Sequence, residues 1–479
     1  MATWIENSVG LLKGNRDFAS SSRYSPHWGL LVGILLYELL IGSVTSCLHP
    51  AIGLLLAGAP FLLLALVSRP SWAYGLFILS IQFSNISFSR LGPYNVRVVD
   101  IGFFLMLAIL IVHALAEDEF IIPRTGIDVP LWIFLGWVFL SITWSLNPSM
   151  GIEALIKIFI GAFTFYLTVY LIPRRSHLNM AINVWILAGL ISALAAIYEF
   201  RTVAHHHIVP DMTKWATPIR SQGFYGGPIM LGSFLTLAIF INYAQILNAT
   251  SPMKRVLSLI TCGLMIIGLL TTLSRNDIAA WIIATLFFTY RFKRMRLPTA
   301  GVLVAIFLLG LCLTGGELFS VFWHRFFYVF EGLEVSSPMR VAVWRLALET
   351  ISEHPLIGAG LGGFTAIATE QLRHGLIYPH SLILYVLVDL GMIGFVLVAY
   401  FGARIFRFVR TVERGIASDS DKAIATAMTT GLLIHVFWAF AQNITFQHII
   451  FWAFLGISFA SYHVLGKTGQ EGGVTNLAR

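Results

Sequence analysis

The chain has 479 residues, 57% of them hydrophobic and 11% charged. Soluble domains run near 25% charged residues and a water-facing surface needs roughly 25–35%, so a soluble enzyme is excluded, as are disordered, collagen-like and disulfide-scaffold classes. What remains is an all-α, polytopic integral membrane protein. Its net charge of +8 then reflects the preference of Lys and Arg for cytoplasmic loops rather than a nucleic-acid partner. Cys47, Cys262 and Cys312 all lie in apolar runs and imply no disulfide framework.

A helical span needs about 20 apolar residues. An N-terminal segment, 1–27, carries Lys13, Arg16 and Arg23 with no small-residue cleavage site after it, and so reads as a cytoplasmic anchor and not a removed signal peptide. Fourteen candidate spans follow: 28–47, 51–68, 71–87, 100–116, 129–146, 151–172, 178–200, 228–248, 256–273, 276–290, 298–314, 381–402, 424–441 and 446–463. With the N-terminus inside, the cytoplasmic segments hold 20 Lys and Arg and the outer ones 10. The runs RFKRMR (291–296) and ARIFRFVR (403–410) fall inside. This bias sets the orientation, with both termini cytoplasmic.

Three outer segments are long: 88–99, 201–227 and 315–380. In the last and largest, which separates spans 1–11 (28–314) from spans 12–14 (381–463), Ser336-Ser337-Pro338 marks a helix start. Apolar residues at 341, 344, 348 and 351 give a helix-spaced stripe, and His354-Pro355 ends it. The run GAGLGGF (358–364) lacks the context of a dinucleotide fingerprint and reads as tight turns approaching a neighbour closely. The tail, 464–479, is polar and Gly-rich, and disorder is expected there.

Polar groups at a membrane edge need a reason. Arg220 precedes the eighth span, which opens at Gly226-Gly227-Pro228; Arg275 starts the tenth and His380 the twelfth. All three spans run inward, so their N-termini, with free N–H groups and partial positive charge, face outward. Such ends suit phosphate, and Arg adds a planar fork of donors. Together they read as a diphosphate cradle at the outer leaflet, with His380 beside it as a general base that a helix N-terminus keeps neutral. Other readings stay open. Arg220 suits a lipid headgroup as a loop residue; Ser274 and Asp277 fit a capping box, and Asp277 could neutralise Arg275; His380 could be an interfacial histidine. In the large loop Arg345 is spaced to pair with Glu349 at the surface, which leaves Arg340 the better phosphate ligand. Glu153 and Lys157, four apart in the sixth span, form a satisfied pair near the outer face or line a substrate cavity, with Arg345 and Tyr385 as further candidates for that lining. His205-His206-His207 points in three directions, which is poor geometry for one ion. Glu38 has no evident partner. The first outer loop is about three residues and holds no paired carboxylates.

WSLNPS (144–149), IRSQGFYGGPIMLGSFL (219–235), TLSRND (272–277), and the stretch from Arg340 through HPLIGAGLGGF (354–364) to HSLILYVLVDLGMIGF (380–395) together resemble the O-antigen ligase and O-antigen polymerase superfamily of bacterial inner-membrane glycosyltransferases. The resemblance covers roughly 140–400. It implies a GT-C-like, metal-independent enzyme of about 12–14 helices, without cofactor, that moves a glycan from undecaprenyl diphosphate to an acceptor glycan at the periplasmic face. By matching position, Arg220 and Arg275 would hold the diphosphate and His380 would act on the acceptor hydroxyl. Where the family usually shows His-Asn this chain has His380-Ser381, and where it shows Glu-x-Gly this chain has Asp389-Leu390-Gly391. Polymerisation of O-antigen or exopolysaccharide repeat units is the first reading, on the span count, with a chain-length-regulating membrane protein and membrane lipid as partners. Ligation to lipid A–core is the second. A transporter or flippase would show paired half-helices and pseudo-symmetric halves, and the sequence shows neither.

Overall fold

The computed structural model describes residues 66, 69–117, 124–204, 220–292, 336–372, 378–441 and 446–476. The expected spans at 28–47 and 298–314, Glu38, most of 51–68 and the His205–His207 run lie outside them. The chain divides into two compact units, Met1–Tyr74 with Phe104–Ile122, and Gly75–Phe103 with Pro123–Arg479. The candidate site lies wholly in the second.

The elements in order are α1 Ser71–Ile81, a hairpin of β1 Ser87–Leu91 and β2 Tyr94–Arg97, α2 Val98–Glu117, α3 Asp128–Leu140, α4 Pro148–Leu171, α5 Arg175–Glu199, α6 Pro228–Asn248, α7 Pro252–Thr271, α8 Arg275–Arg291, α9 Ser336–Glu353, α10 Gly363–Leu372, α11 Leu382–Gly415, α12 Asp419–Ala441 and α13 Ile449–Asn476. Among the described residues seven helices are long and apolar enough to cross a membrane: α4, α5 with the π turn after it, α6, α7, α11, α12 and α13 up to Gly466. The protein is thus an all-α polytopic membrane protein.

Helix starts follow local chemistry. Asn147 caps α4, its side chain accepting from the Met150 N–H at 3.1 Å with Pro148 as the first helical residue, and Ser251 does the same for α7. Such caps satisfy N–H groups that the helix itself leaves open. The span expected at 71–87 is shorter, because the chain turns after Ile81 into the hairpin. Helix α13 runs on through Asn476, into the tail for which disorder was expected.

Two helices depart instructively from the expected pattern. On α9 the buried face is Val343, Leu346, Ala347 and Thr350, packed on Phe364, Ala368 and Val388. Three residues of the expected stripe, Val341, Trp344 and Leu348, face outward and are exposed, and the fourth, Ile351, packs against the buried cluster. Small Ala347 and polar Thr350 carry little weight in a hydrophobic reading, although they are what lets α9 approach. Helix α11 is broken at Gly391 (φ 68°, ψ −169°). The N–H groups freed there are taken up, Met392 donating to the Pro355 carbonyl at 3.0 Å and Ile393 to Leu356 at 3.2 Å. A transporter's paired half-helices would leave such groups facing a cavity; here they hold a loop.

Contacts fix which helix ends lie together. Helices α6 and α12 run antiparallel, since Asn248 reaches Ser420 and Leu237 lies against Gly431. The start of α6 therefore faces the last turn of α12. There the Ser381 hydroxyl, at the start of α11, donates to the Ala439 carbonyl at 3.4 Å. Asp277 in the first turn of α8 lies against Gly232 in the first turns of α6. Helices α4 and α13 run parallel, Gly161 against Trp452 and Phe165 against Phe459, and Gln447 just ahead of α13 donates to the Tyr385 hydroxyl of α11 at 2.5 Å. Five helices, α4, α6, α8, α11 and α13, thus begin at one end of the bundle, and their dipoles all present positive ends there.

Candidate active site

Two corners form at that end. The first is built on arginines. The Arg220 Nε–H donates to the Thr272 carbonyl at 2.9 Å and the Ser221 N–H to Thr271 at 3.1 Å. The loop before α6 is thereby laid along the turn before α8. From the other side the Glu199 carboxylate accepts the Gln222 N–H at 2.9 Å and the Gly223 N–H at 2.7 Å. The chain then turns through Gly226 (φ 69°), where a Cβ would run into the Asn85 side chain, and enters α6 at Pro228. Arg275 is the first residue of α8 and is half-buried. Asp277, fully buried, accepts from the Ser274 hydroxyl at 2.5 Å and from Ser233 at 3.1 Å. Its work is to tie α8 to α6. Ser274 makes no side-chain cap bond, so the expected capping box is replaced by this tether.

The second corner is a loop threaded between two helices. Residues 354–364 run between the break in α11 and the segment 141–151. The loop's far side is held by the Trp144 Nε1–H on Ile357 (3.3 Å), the Leu146 N–H on Ala359 (3.3 Å) and the Ser145 hydroxyl on Leu361 (2.7 Å). Its near side is held by the Ala359 N–H on Val388 (2.8 Å) and by the buried Asp389 carboxylate, which accepts the Gly362 N–H at 2.9 Å and the Phe364 N–H at 3.0 Å. The glycines are what make this possible. Gly358, Gly360 and Gly362 all take positive φ; a Cβ on Gly358 would lie 2.5 Å from the Asp389 backbone, and one on Gly360 would overlap Ser145. The close backbone approach expected of GAGLGGF is what the structure has.

His380 hangs from this corner. The Trp344 indole N–H donates to the Pro379 carbonyl at 2.7 Å, which binds the segment to α9 and sets Arg340, one turn away on that helix, close enough to act on the imidazole. Burial first, and then the Arg340 charge, hold the His380 pKa below the ordinary histidine value, so the ring is neutral near pH 7. Ser381 caps α11, accepting from the Leu384 N–H at 3.4 Å. Ser and Asn are equivalent in that role, so the capping function survives the departure from His-Asn. His380 (φ 49°) and Leu273 (φ 49°) are the non-glycine residues with positive φ among those described. Each stands one residue ahead of the N-cap of a site helix, and backbone outliers of this kind cluster at functional sites.

A polar cavity of about 50 Å³ opens at Tyr378, two residues along the chain from His380, with Glu153, Lys157, Thr365, Tyr385 and Gln447 also on its walls. Lys157 and Glu153 are paired at 2.7 Å. Burial, and then the charges of Glu153 and Asp389, push the Tyr378 hydroxyl pKa up, so it stays a donor. Arg345 is absent from these walls: it is exposed on α9 and makes no ion pair with Glu349, itself exposed.

The expected site residues therefore fall into an arginine corner (Arg220, Arg275), a histidine corner (His380, Arg340) and a cavity (Glu153, Lys157, Tyr385), with Arg345 apart. Glu199 and Asp389 hold the two loops; Glu199 carries no spacing signal of its own, and Asp389 is marked only by the Asp-Leu-Gly triplet that stands where Glu-x-Gly is usual. Asp419-Ser420-Asp421 has the spacing of a sugar-nucleotide transferase motif, but it sits at the opposite end of α12, where Asp421 pairs with Arg175 at 2.6 Å and Asp419 with Lys422 at 3.7 Å.

The O-antigen ligase family model matches residues 260–399, from α7 to the middle of α11. The matched stretch holds Arg275, Arg340, His380 and the 354–364 loop, while Arg220, Glu153 and Lys157 precede it. The chain is also similar to the teichuronic acid biosynthesis protein TuaE of Bacillus subtilis (strain 168), at 21% identity over 368 residues, 71% of each chain. Residues 260–399 of this multi-pass membrane protein are thus similar to the O-antigen ligase family.

Proposed function

We propose that the protein is a glycosyltransferase of polysaccharide or O-antigen assembly that polymerises undecaprenyl-diphosphate-linked repeat units at the periplasmic face of the inner membrane. The family match supports glycan assembly by glycosyl transfer, and TuaE is by its name a polysaccharide assembly protein. The observation that carries the mechanism is the Arg220–Thr272 hydrogen bond, which sets one arginine against the turn that leads into the other, at an end where five helix N-termini gather.

In this reading an acceptor hydroxyl attacks the anomeric carbon of the donor sugar. Its proton passes to His380, which burial and Arg340 keep in the neutral, accepting form. The new C–O bond forms as the bond to the diphosphate breaks, and the electron pair leaves with the lipid diphosphate. Charge grows on the phosphate oxygens, where Arg220, Arg275 and the helix ends stabilise it; such stabilisation is usually the largest catalytic term. With two arginines in that place no metal is required, and EDTA is expected to leave the rate unchanged. Purified protein in nanodiscs, given lipid-linked repeat units, should yield a ladder of lengthening products. A single addition to lipid A–core would instead make it a ligase, and no transfer to either acceptor would end the reading.

A further inference from the structure

We propose that the cavity between Glu153 and Gln447 is the acceptor subsite, taking the hydroxyl-bearing edge of one neutral sugar ring; this rests on the glycosyl-transfer reading above. Four observations carry it.

The cavity reaches the segment that carries the histidine. Tyr378, on its wall, is two residues from His380, on a segment that the Trp344–Pro379 hydrogen bond holds in place.

Its chemistry suits hydroxyls and not phosphate. The walls alternate acceptors and donors: the Glu153 carboxylate, the Lys157 ammonium, the Thr365, Tyr378 and Tyr385 hydroxyls and the Gln447 amide. A sugar hydroxyl, which both donates and accepts, matches such a wall. An anion would meet Glu153, and the one cation present is already neutralised by that residue at 2.7 Å. Arg220 and Arg275 lie in the other corner.

The walls are built and not adventitious. Tyr385 is buried and its hydroxyl is oriented by the Gln447 amide. Glu153 and Lys157 lie one helical turn apart on α4. Thr365 is carried by α10, whose start is anchored by Asp389 through Gly362 and Phe364.

The volume sets a limit. About 50 Å³ admits a few waters, at roughly 10–15 Å³ each, and so an edge of one ring. Those waters give way to hydroxyls that reproduce their hydrogen bonds, which selects a polyhydroxylated face over an apolar one.

Donor and acceptor are thus sorted by charge: the lipid diphosphate to the arginine corner, the neutral sugar edge to the mixed polar cavity, with the imidazole on the acceptor side where the proton is released.

The test uses the full-length protein in nanodiscs and two binding probes: undecaprenyl diphosphate, and the lipid-free repeat-unit oligosaccharide released by mild acid from the lipid-linked glycan of the source cells. Glu153→Gln and Gln447→Leu are expected to weaken oligosaccharide binding at least about tenfold and to raise the acceptor KM in parallel. Undecaprenyl diphosphate binding, the donor KM and the acid limb of the pH profile should stay within twofold of wild type. Arg220→Ala should give the reverse pattern. Equal loss of both ligands, or unchanged oligosaccharide binding in both cavity variants with normal melting temperatures, would overturn the subsite. The glycosyl-transfer reading fails separately: wild-type protein that binds the oligosaccharide in a Gln447-dependent way but transfers nothing would keep the subsite and remove the reaction.

Discussion

The arginine corner and the loop corner sit at the same end of the bundle and differ in how closely backbone meets backbone. In the first, side chains make the ties: Arg220 reaches the Thr272 carbonyl, Glu199 takes two amides, and Asp277 ties α8 to α6 through Ser233. In the second, Trp144, Ser145 and Asp389 also grip backbone, but there backbone lies against backbone as well, and Gly358, Gly360, Gly362 and Gly391 keep open the space that any side chain would fill. A side-chain grip can be released residue by residue while the fold survives. A backbone approach cannot, because one added methyl group displaces two segments together. Loss of function in the two corners should therefore come about differently.

Substitutions expose that contrast. The largest effect on the reaction is expected from His380→Ala: a positioned general base contributes about 10²–10⁴-fold, and since the Trp344 bond is to the Pro379 carbonyl and not to the imidazole, the melting temperature should hold. Full activity in this variant would remove the base. Next, Arg220→Ala and Arg275→Ala should each lower kcat/KM by about 10²–10³-fold, the range for loss of one donor to developing negative charge, with Arg220→Ala the worse because it also frees the Thr272 turn. Unchanged kinetics in both would end the cradle. Gly391→Ala works through the other mode. Its Cβ would collide with the Leu356 backbone and its φ is strained for any L side chain, so a destabilisation of about 2–3 kcal/mol or more is expected, read as a lowered melting temperature with normal kcat in whatever protein stays folded. The smallest effect is a shift. Arg340→Met removes the charge that, after burial, lowers the His380 pKa. The pKa then rises towards the ordinary value, the neutral base is lost at higher pH, and the acid limb of kcat/KM moves up while the plateau changes little. A limb that moves down, or stays, would detach Arg340 from the imidazole.

Much of the architecture is legible without coordinates because membrane helices announce themselves by length and apolarity; α6 begins and ends where its apolar run does, at Pro228 and Asn248. The close approach of GAGLGGF is legible as well, since three alternate glycines have few other uses. The break in α11 is not. Gly391 sits in an apolar run that hydropathy carries straight through, and what breaks the helix is an offer of carbonyls from Pro355 and Leu356, each 37 residues along the chain from the amide it accepts. The buried face of α9 is hidden for a related reason: Ala347 and Thr350 score poorly as core, yet close packing favours small residues. Of the site, the arginines and the histidine stand out by charge at helix starts. Of their supports, Glu199 is a single acid with no pattern around it and Asp389 stands out only in the Asp-Leu-Gly triplet; only folding shows which amides they face.

The discontinuity at Gly391 also divides labour along one helix. The part after it, 392–415, has 12 residues before its first charge at Arg404, about 18 Å of helix at 1.5 Å per residue, and so supplies only the inner share of a hydrocarbon layer of about 30 Å. The nine residues ahead of it, Leu382–Leu390, supply the outer share. They also house Tyr385 and a buried carboxylate at Asp389, and through that carboxylate they are mechanically a piece of the 354–364 loop. Any rocking of the loop would carry the imidazole with it and leave the anchor in the lipid standing still.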